Sequence, residues 1–261
     1  MGHKRIGVLP TSQRWQDIAQ LIAGEHISDT EIADIAQKTI HNVKSRFRYI
    51  EQDGGVLGTF QFLVNLAIAS REENPKEWLL NVGIELPDDP TPLSFAKAVG
   101  TYVAPRRNSP EYDKIAQKAA GDAISIWYRE NQPTTASLFE SLEDPFEVWR
   151  KAGSGAGFCE LSRLFFAKFT QRYLEYFLER AASPGLKNID KRIQFKQQLV
   201  QHVDNISLHA FETAEITQSF AAGWFNKRAK GDAPNEKEIE GFLSVAFGKI
   251  RDALQREDDK E

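Results

Sequence analysis

Apolar residues recur three and four positions apart along most of this chain, which is the spacing of one face of an α-helix. Ser28 and Glu31 stand at capping-box spacing ahead of one such stripe. Four other segments begin with a polar capping residue followed directly by proline, namely Asn74, Thr91, Ser109 and Asp144. Proline at the first position of a helix loses no hydrogen bond, so each of these pairs predicts a helix start.

The longest apolar stripe predicts a helix over residues 158–182. Its main face carries Phe158, Leu161, Phe165, Phe169, Tyr173, Tyr176 and Phe177. Four further apolar residues widen this face, and polar residues occupy the opposite side. A helix that is apolar over so wide an arc is normally central to a bundle.

Residues 54–70 form the most hydrophobic segment and raise the question of a membrane span. The segment has 17 residues, which is the lower limit for crossing a bilayer, and it carries Gln61 and Asn65 one helical turn apart. A buried core helix therefore explains it better. Gly54 and Gly58, four residues apart, would permit another helix to approach closely.

The pattern as a whole predicts an all-α fold, with a single bundle of about nine to eleven helices around the long central helix 158–182. Only residues 5–10 have an extended pattern. With no second strand to pair with, they are expected to form a short N-terminal arm, or to add a strand to the sheet of a partner. We expect one helical domain over 1–261, with lobes 11–104 and 110–257 as the alternative division, and an acidic tail at 258–261.

Composition narrows the class of protein further. The chain has 261 residues, of which 41% are hydrophobic and 27% are charged, as in ordinary globular proteins. The net charge is −4, so no overall field attracts nucleic acid or anionic lipid. A single cysteine excludes an internal disulfide, and the first ten residues lack the pattern of a signal peptide. The cytoplasm is the expected location.

Three glycines at alternate positions, Gly153, Gly155 and Gly157, lie directly ahead of the long helix. Such a turn can present backbone N–H groups to an anion, and Lys151 adds positive charge. The sequence does not continue with the Lys-Ser/Thr of a phosphate-binding loop. A flexible connection that lets a bulky aromatic helix pack closely is the favoured interpretation, with an anion site or a moving hinge as the alternatives.

Residues for catalysis or metal binding do not form a recognised pattern. Among the five histidines, His202 and His209 share a helix face but stand about 10 Å apart, which is too far for one zinc ion. Cys159 lies among aromatic residues and is expected to be a small buried side chain. Asp122 is expected to pair with an arginine of a neighbouring helix. We predict no catalytic residue, no metal site and no cofactor.

Local basic clusters keep nucleic-acid binding open as an alternative. One cluster mixes arginines with aromatic residues, a composition found at nucleic-acid surfaces. The candidate contact residues are Lys44, Arg46, Arg48, Lys187, Lys191, Arg192 and Lys196.

The function that these observations favour is a non-catalytic helical interaction subunit or adaptor. The organisation resembles that of the all-helical accessory subunits of bacterial multiprotein systems, which implies other protein subunits as partners. No membrane is expected as a partner, in line with the interpretation of residues 54–70 as a core helix. Four tryptophans are expected to be exposed, and some of them could anchor an interface, namely Trp78, Trp127, Trp149 and Trp224. Nucleic-acid binding is the first alternative. An enzyme or ligand-binding bundle, with a site that gathers Glu160, Asp122 or His209, is the second.

Overall fold

A computed structural model describes residues 50–106, 110–132, 144–182, 218–228 and 233–258, together with 193 and 197. Within these ranges every regular element is a helix and none is a strand, which confirms the all-α fold. The predicted arm at residues 5–10 and the helix that follows Ser28 lie outside the described residues.

The described residues form seven α-helices and two 3-10 helices. The α-helices are α1 (Gly54–Ala69), α2 (Pro75–Asn81), α3 (Pro92–Val103), α4 (Pro110–Asn131), α5 (Gly155–Ala182), α6 (Gln218–Arg228) and α7 (Glu236–Asp258). The 3-10 helices span Ala104–Arg106 and Glu147–Gly153. The long predicted helix is α5, which begins three residues earlier than the sequence pattern indicated.

Local capping sets the starts of several helices, as the sequence predicts. The side chain of Asn74 accepts a hydrogen bond from the Glu77 N–H at the start of α2, and Thr91 caps α3 in the same way through the Ser94 N–H. At α7, Asn235 and Glu238 cap each other reciprocally. These side chains satisfy N–H groups that have no partner within the helix.

The segment after Asp144 differs from the expected α-helix. The Asp144 carboxylate accepts a hydrogen bond from the Phe146 N–H, and the chain then forms the 3-10 helix Glu147–Gly153. This short helix carries Trp149 into the core, where its ring stacks on Trp127 of α4. The tighter coil lets the segment turn within a few residues before α5 begins.

Helix α1 is buried on every side, which confirms the prediction for this segment. All of its residues except Gly54 and Gln61 are buried. It packs against α2, α3, α4 and both 3-10 helices. In the part of the chain that the structure describes, no helix is both long enough and apolar enough to cross a membrane.

An aromatic cluster joins α1 to α5, α6 and α7. The ring of Phe60 lies 5.3 Å from Phe166 and 5.1 Å from Phe242 between centroids. Phe158 of α5 stacks on Phe225 of α6 at 4.4 Å. Rings of this size contribute the most apolar area per residue, so the cluster supplies a large part of the core.

Contacts divide the chain into two compact units. One unit comprises residues 49–169 and 216–246 and contains every contact described above. The other comprises residues 1–48, 170–215 and 247–261, and its described part includes the buried side chains of Tyr173 and Ile250. The single domain and the alternative lobes remain predictions.

The approach of α1 to α4 generates a test of the fold. A Cβ atom at Gly55 would lie 2.7 Å from the Asp113 Cβ and 3.0 Å from its Cα, so Gly55→Ala must push the two helices apart. We expect this change to lower the free energy of unfolding by about 1–3 kcal/mol. Urea denaturation monitored by circular dichroism measures the change.

Gly223 of α6 is the matched control, because nothing lies within 4 Å of a Cβ atom built there. Gly223→Ala should be neutral, or should raise the stability by up to about 1 kcal/mol through the better helix propensity of alanine. Equal losses of stability in both variants would contradict the close approach of α1 and α4.

Candidate interaction surface

The glycine-rich segment forms the joint between the second 3-10 helix and α5. Gly153 ends the 3-10 helix, while Gly155 and Gly157 lie in the first turn of α5. Ser154 is the capping residue between them, because its Oγ accepts a hydrogen bond from the Gly157 N–H at 3.0 Å. The glycines therefore do not form a loop ahead of the helix.

Each of these glycines faces atoms that a side chain would displace. A Cβ atom at Gly153 would lie 2.6 Å from the Arg71 Cγ, and one at Gly155 would lie 2.9 Å from the Ala222 Cβ of α6. At Gly157 it would lie 1.9 Å from the Lys151 carbonyl oxygen. This crowding agrees with the interpretation that the glycines let the aromatic helix pack closely.

Lys151, the cation of the alternative anion site, is engaged by its neighbours. Its Nζ lies 2.8 Å from a Glu160 carboxylate oxygen and 5.5 Å from the centre of the Trp127 ring. An anion at the start of α5 would have to compete with Glu160 for this charge. The anion site remains a prediction.

Cys159 is buried, as the sequence predicts, and burial raises the pKa of its thiol. The positive charge of Arg163 opposes this rise, while Glu160 adds to it. A raised pKa keeps the thiol protonated at neutral pH, whereas a nucleophilic cysteine needs the thiolate. Asp122, an acidic residue named for the enzyme or ligand-binding alternative, is half-buried on α4.

Two buried acids lie at the start of α1. Asp53 caps this helix and accepts hydrogen bonds from the N–H groups of Gly55 and Val56. Burial raises the pKa of Asp53, the two hydrogen bonds oppose the rise, and the nearby charge of Asp113 adds to it. Asp113 of α4 is also buried and accepts a hydrogen bond from Gln117. This pair has a clear structural role at the contact of α1 with α4.

The tryptophans divide into two kinds, which corrects the expectation that all four are exposed. Trp127 and Trp149 are fully buried and stack on each other, and the Trp127 indole N–H donates to the Val148 carbonyl oxygen. Neither can be an interface anchor. Trp78 and Trp224 are half-buried, and Trp224 packs on Phe158 and Phe242 in the core.

Trp78 lies in an open depression on the outer side of α2. The depression has a volume of about 450 Å³. It is lined by Arg71, Glu72, Glu73, Asn74, Glu77, Trp78 and Asn81. Leu80, which is 56% exposed, follows Glu77 by three positions and so lies next to Glu77 on the helix surface. We call the lining residues together with Leu80 the α2 face.

The charge of the α2 face is predominantly negative. Three of its residues are glutamates, and Arg71 is the one basic residue. The Arg71 guanidinium carbon lies 5.7 Å from the centre of the Phe225 ring, so this side chain already contacts an aromatic ring of the core. Lys76, on the same helix, forms an ion pair with Asp88.

Sequence reasoning identified the helix start at Asn74 and named Trp78, but it missed the depression. The signal was present in the sequence, since Glu72 and Glu73 precede a short helix that carries Glu77, Trp78 and Leu80. A seven-residue helix whose only buried residue is Leu79 leaves most of its surface to solvent.

The other predicted site residues fall outside the part of the chain that the structure describes. Lys44, Arg46, Arg48, Lys187, Lys191, Arg192 and Lys196 all lie outside the described residues. His202 and His209 also lie outside them. Among the residues that are described, no three His, Cys, Asp or Glu side chains form a group that could hold a metal ion.

The cap of α5 generates a prediction. Ser154→Ala removes the acceptor of the Gly157 N–H and should lower the free energy of unfolding by about 1 kcal/mol, whereas Ser154→Asp should retain the stability. Thermal and urea denaturation measure both variants. If added phosphate raises the unfolding temperature at constant ionic strength, and no longer does so in Lys151→Met, the anion site would be favoured. No difference between the two Ser154 variants would exclude the cap.

The raised pKa of Asp53 generates a pH-dependent prediction. A carboxyl group with a higher pKa in the folded state stabilises the fold below its unfolded pKa, about 3.9, and this contribution is lost as the pH rises through the raised value. Asp53→Asn keeps a capping oxygen without the charge. We expect its stability relative to the native chain to increase from pH 4 to pH 7, as measured by urea denaturation.

Asp53→Ala is the matched variant without any capping oxygen. It should lose about 0.5–2 kcal/mol relative to Asp53→Asn at each pH. A stability difference between Asp53→Asn and the native chain that decreases with pH would contradict the assigned direction of the pKa shift.

Comparison with known proteins adds no family to this picture, because no protein-family model, curated protein or solved structure matches the chain. The function is therefore argued from the surface of the chain itself.

Proposed function

We propose that this protein is a non-catalytic helical interaction subunit or adaptor that binds another protein through the α2 face. The observation that carries the proposal is the half-buried Trp78 in an open depression, with the exposed Leu80 on the same short helix. Tryptophan is enriched among the residues that dominate binding energy at protein interfaces. Leu80, exposed on a different side of the same short helix, would extend the contact beyond the depression.

The packing of the rest of the unit supports this choice of surface. The large rings of α1, α5, α6 and α7 are used in the core, as are Trp127 and Trp149. Other large apolar side chains with substantial exposure among the described residues are Leu93, Ile193 and Val245. Leu80 lies on α2, the helix that carries the Trp78 ring of the depression.

The enzyme alternative has less support from the described geometry. Glu160 pairs with Lys151, and neither Glu160 nor Asp122 lines the depression on α2. Nucleic-acid binding rests on the seven basic residues outside the described ranges, and it remains an alternative that the same experiment addresses.

Site-specific photo-crosslinking in the native host tests the proposal. A benzophenone amino acid at Leu80 should form a discrete adduct with one protein at near-stoichiometric yield, since an interface places the probe against the partner. The same probe at Ser125, an exposed position of α4, is the control and should give little of that adduct.

Trp78→Ala, combined with the probe at Leu80, should reduce the adduct by about tenfold or more, as expected for loss of a central interface residue. The circular dichroism spectrum and the unfolding temperature of this variant establish that it is folded. Equal adducts at Leu80 and Ser125 would contradict the proposal. An adduct that nuclease removes would favour the nucleic-acid alternative.

A further inference from the structure

We propose that the α2 face takes a basic segment of the partner protein, with a lysine or arginine side chain over the Trp78 indole and its charge among the glutamates of the depression. This inference rests on the proposed function, because it assigns the chemistry of the partner at the same surface. Three features of the face carry it: its charge, its aromatic ring and its apolar border.

The charge of the face selects the sign of the partner. Neither Glu72 nor Glu73 forms an ion pair with a described residue, and Glu77 accepts a hydrogen bond from the uncharged Asn74 side chain. The cations nearby have other contacts, Arg71 with Phe225 and Lys76 with Asp88. An incoming cation would therefore meet carboxylates that the described part of the chain does not neutralise.

The surrounding segment extends the same field. Residues 71–90 contain six acidic residues and two basic ones, and the acidic residues include Glu85, Asp88 and Asp89 beyond α2. A phosphate polymer or an anionic lipid surface would be repelled by this charge. A basic protein segment would be attracted to it, and complementary charge increases the rate of association.

Trp78 supplies a specific contact for the cation. The indole is the aromatic ring that binds a lysine or arginine side chain most strongly over its face. No ring and no cation of the described residues stacks on Trp78, whereas Trp127, Trp149 and Trp224 all stack within the core. Among the tryptophans that the structure describes, Trp78 is therefore the one whose ring has room for an incoming side chain.

Leu80 adds an apolar requirement to the partner segment. It borders Glu77 on the helix surface and is 56% exposed. Because Trp78 and Leu80 lie on different sides of α2, a segment that crosses this short helix from one to the other would need an apolar residue beyond its cation. The inferred ligand is therefore an amphipathic basic segment rather than a run of lysines alone.

Binding of synthetic peptides to the intact chain tests this inference. The probes are four capped 12-residue peptides with three leucines at helical spacing, which carry lysine, arginine, Nε-acetyl-lysine or glutamate at three flanking positions. The chain has five tryptophans, so its indole N–H groups give up to five NMR signals, and Trp78→Phe identifies the one that belongs to Trp78.

We expect the lysine and arginine peptides to shift the Trp78 signal saturably, with an affinity that falls as salt is added. Acetylation of the lysines should weaken binding by about tenfold or more, because it removes the charge and keeps the chain length. Trp78→Phe should weaken binding by about twofold to fivefold, in line with the weaker attraction of a phenyl ring for cations.

Charge variants separate the specific face from general electrostatic attraction. The double variant Glu73→Gln with Glu77→Gln should lower the affinity for the lysine peptide by about threefold to tenfold, and this affinity should depend less on salt. Glu236→Gln with Glu240→Gln on α7 removes the same charge away from the depression and should leave the affinity unchanged within about twofold.

The inference is overturned if the acetylated peptide binds as tightly as the lysine peptide, if the Trp78 signal does not move, or if the α7 variant loses as much affinity as the α2 variant. A discrete protein adduct at Leu80 together with any of these results would keep the interaction function and reject a basic partner segment. Failure of both experiments would reject both.

Discussion

The burial of nearly all of α1 is the constraint on which the rest of this unit depends. A helix that is enclosed on every side needs apolar or very small groups on all its neighbours, since polar groups that lose water must find partners inside the protein. Gly55 and Gly58 meet this need by admitting α4 and the segment that carries Arg106 close to the helix axis. Thr59 of α1 donates a hydrogen bond to the Gly55 carbonyl oxygen, and the Asn65 amide nitrogen donates one across the core to the Tyr102 hydroxyl, whereas the Asn65 Oδ1 has no partner among the described residues.

Aromatic rings fill the space that this enclosed helix leaves around it. Phe60 of α1 contacts rings of α5 and α7, and Phe158 of α5 extends the cluster to α6. On the opposite arc, Phe95, Trp127 and Trp149 pack together where α3, α4 and the second 3-10 helix meet. Because so many large rings are buried in the core, a ring that stays accessible is a stronger candidate for contact with a partner.

Helix α2 differs from its neighbours in this respect. It is attached to the core by Leu79, and its other faces carry Trp78, Leu80 and charged residues. An acidic field by itself would only keep the surface soluble. Combined with an indole and an exposed leucine, it describes a surface that suits a partner of opposite charge and mixed polarity, which is the basis of the function and the partner class proposed for this protein.

The sequence by itself determined the fold class, the buried character of residues 54–69, the starts of α2 and α3, and the buried state of Cys159. These features follow from residue spacing and from capping side chains a few positions away, so a single sequence is enough to predict them. Only the tertiary structure decided which tryptophans are accessible, because Trp127 and Trp149 become buried by contact between segments 22 residues apart. It also decided that Gly155 and Gly157 lie inside α5, and that the glutamates around Trp78 line one depression, since both depend on atoms from elsewhere in the fold or on the path of the backbone.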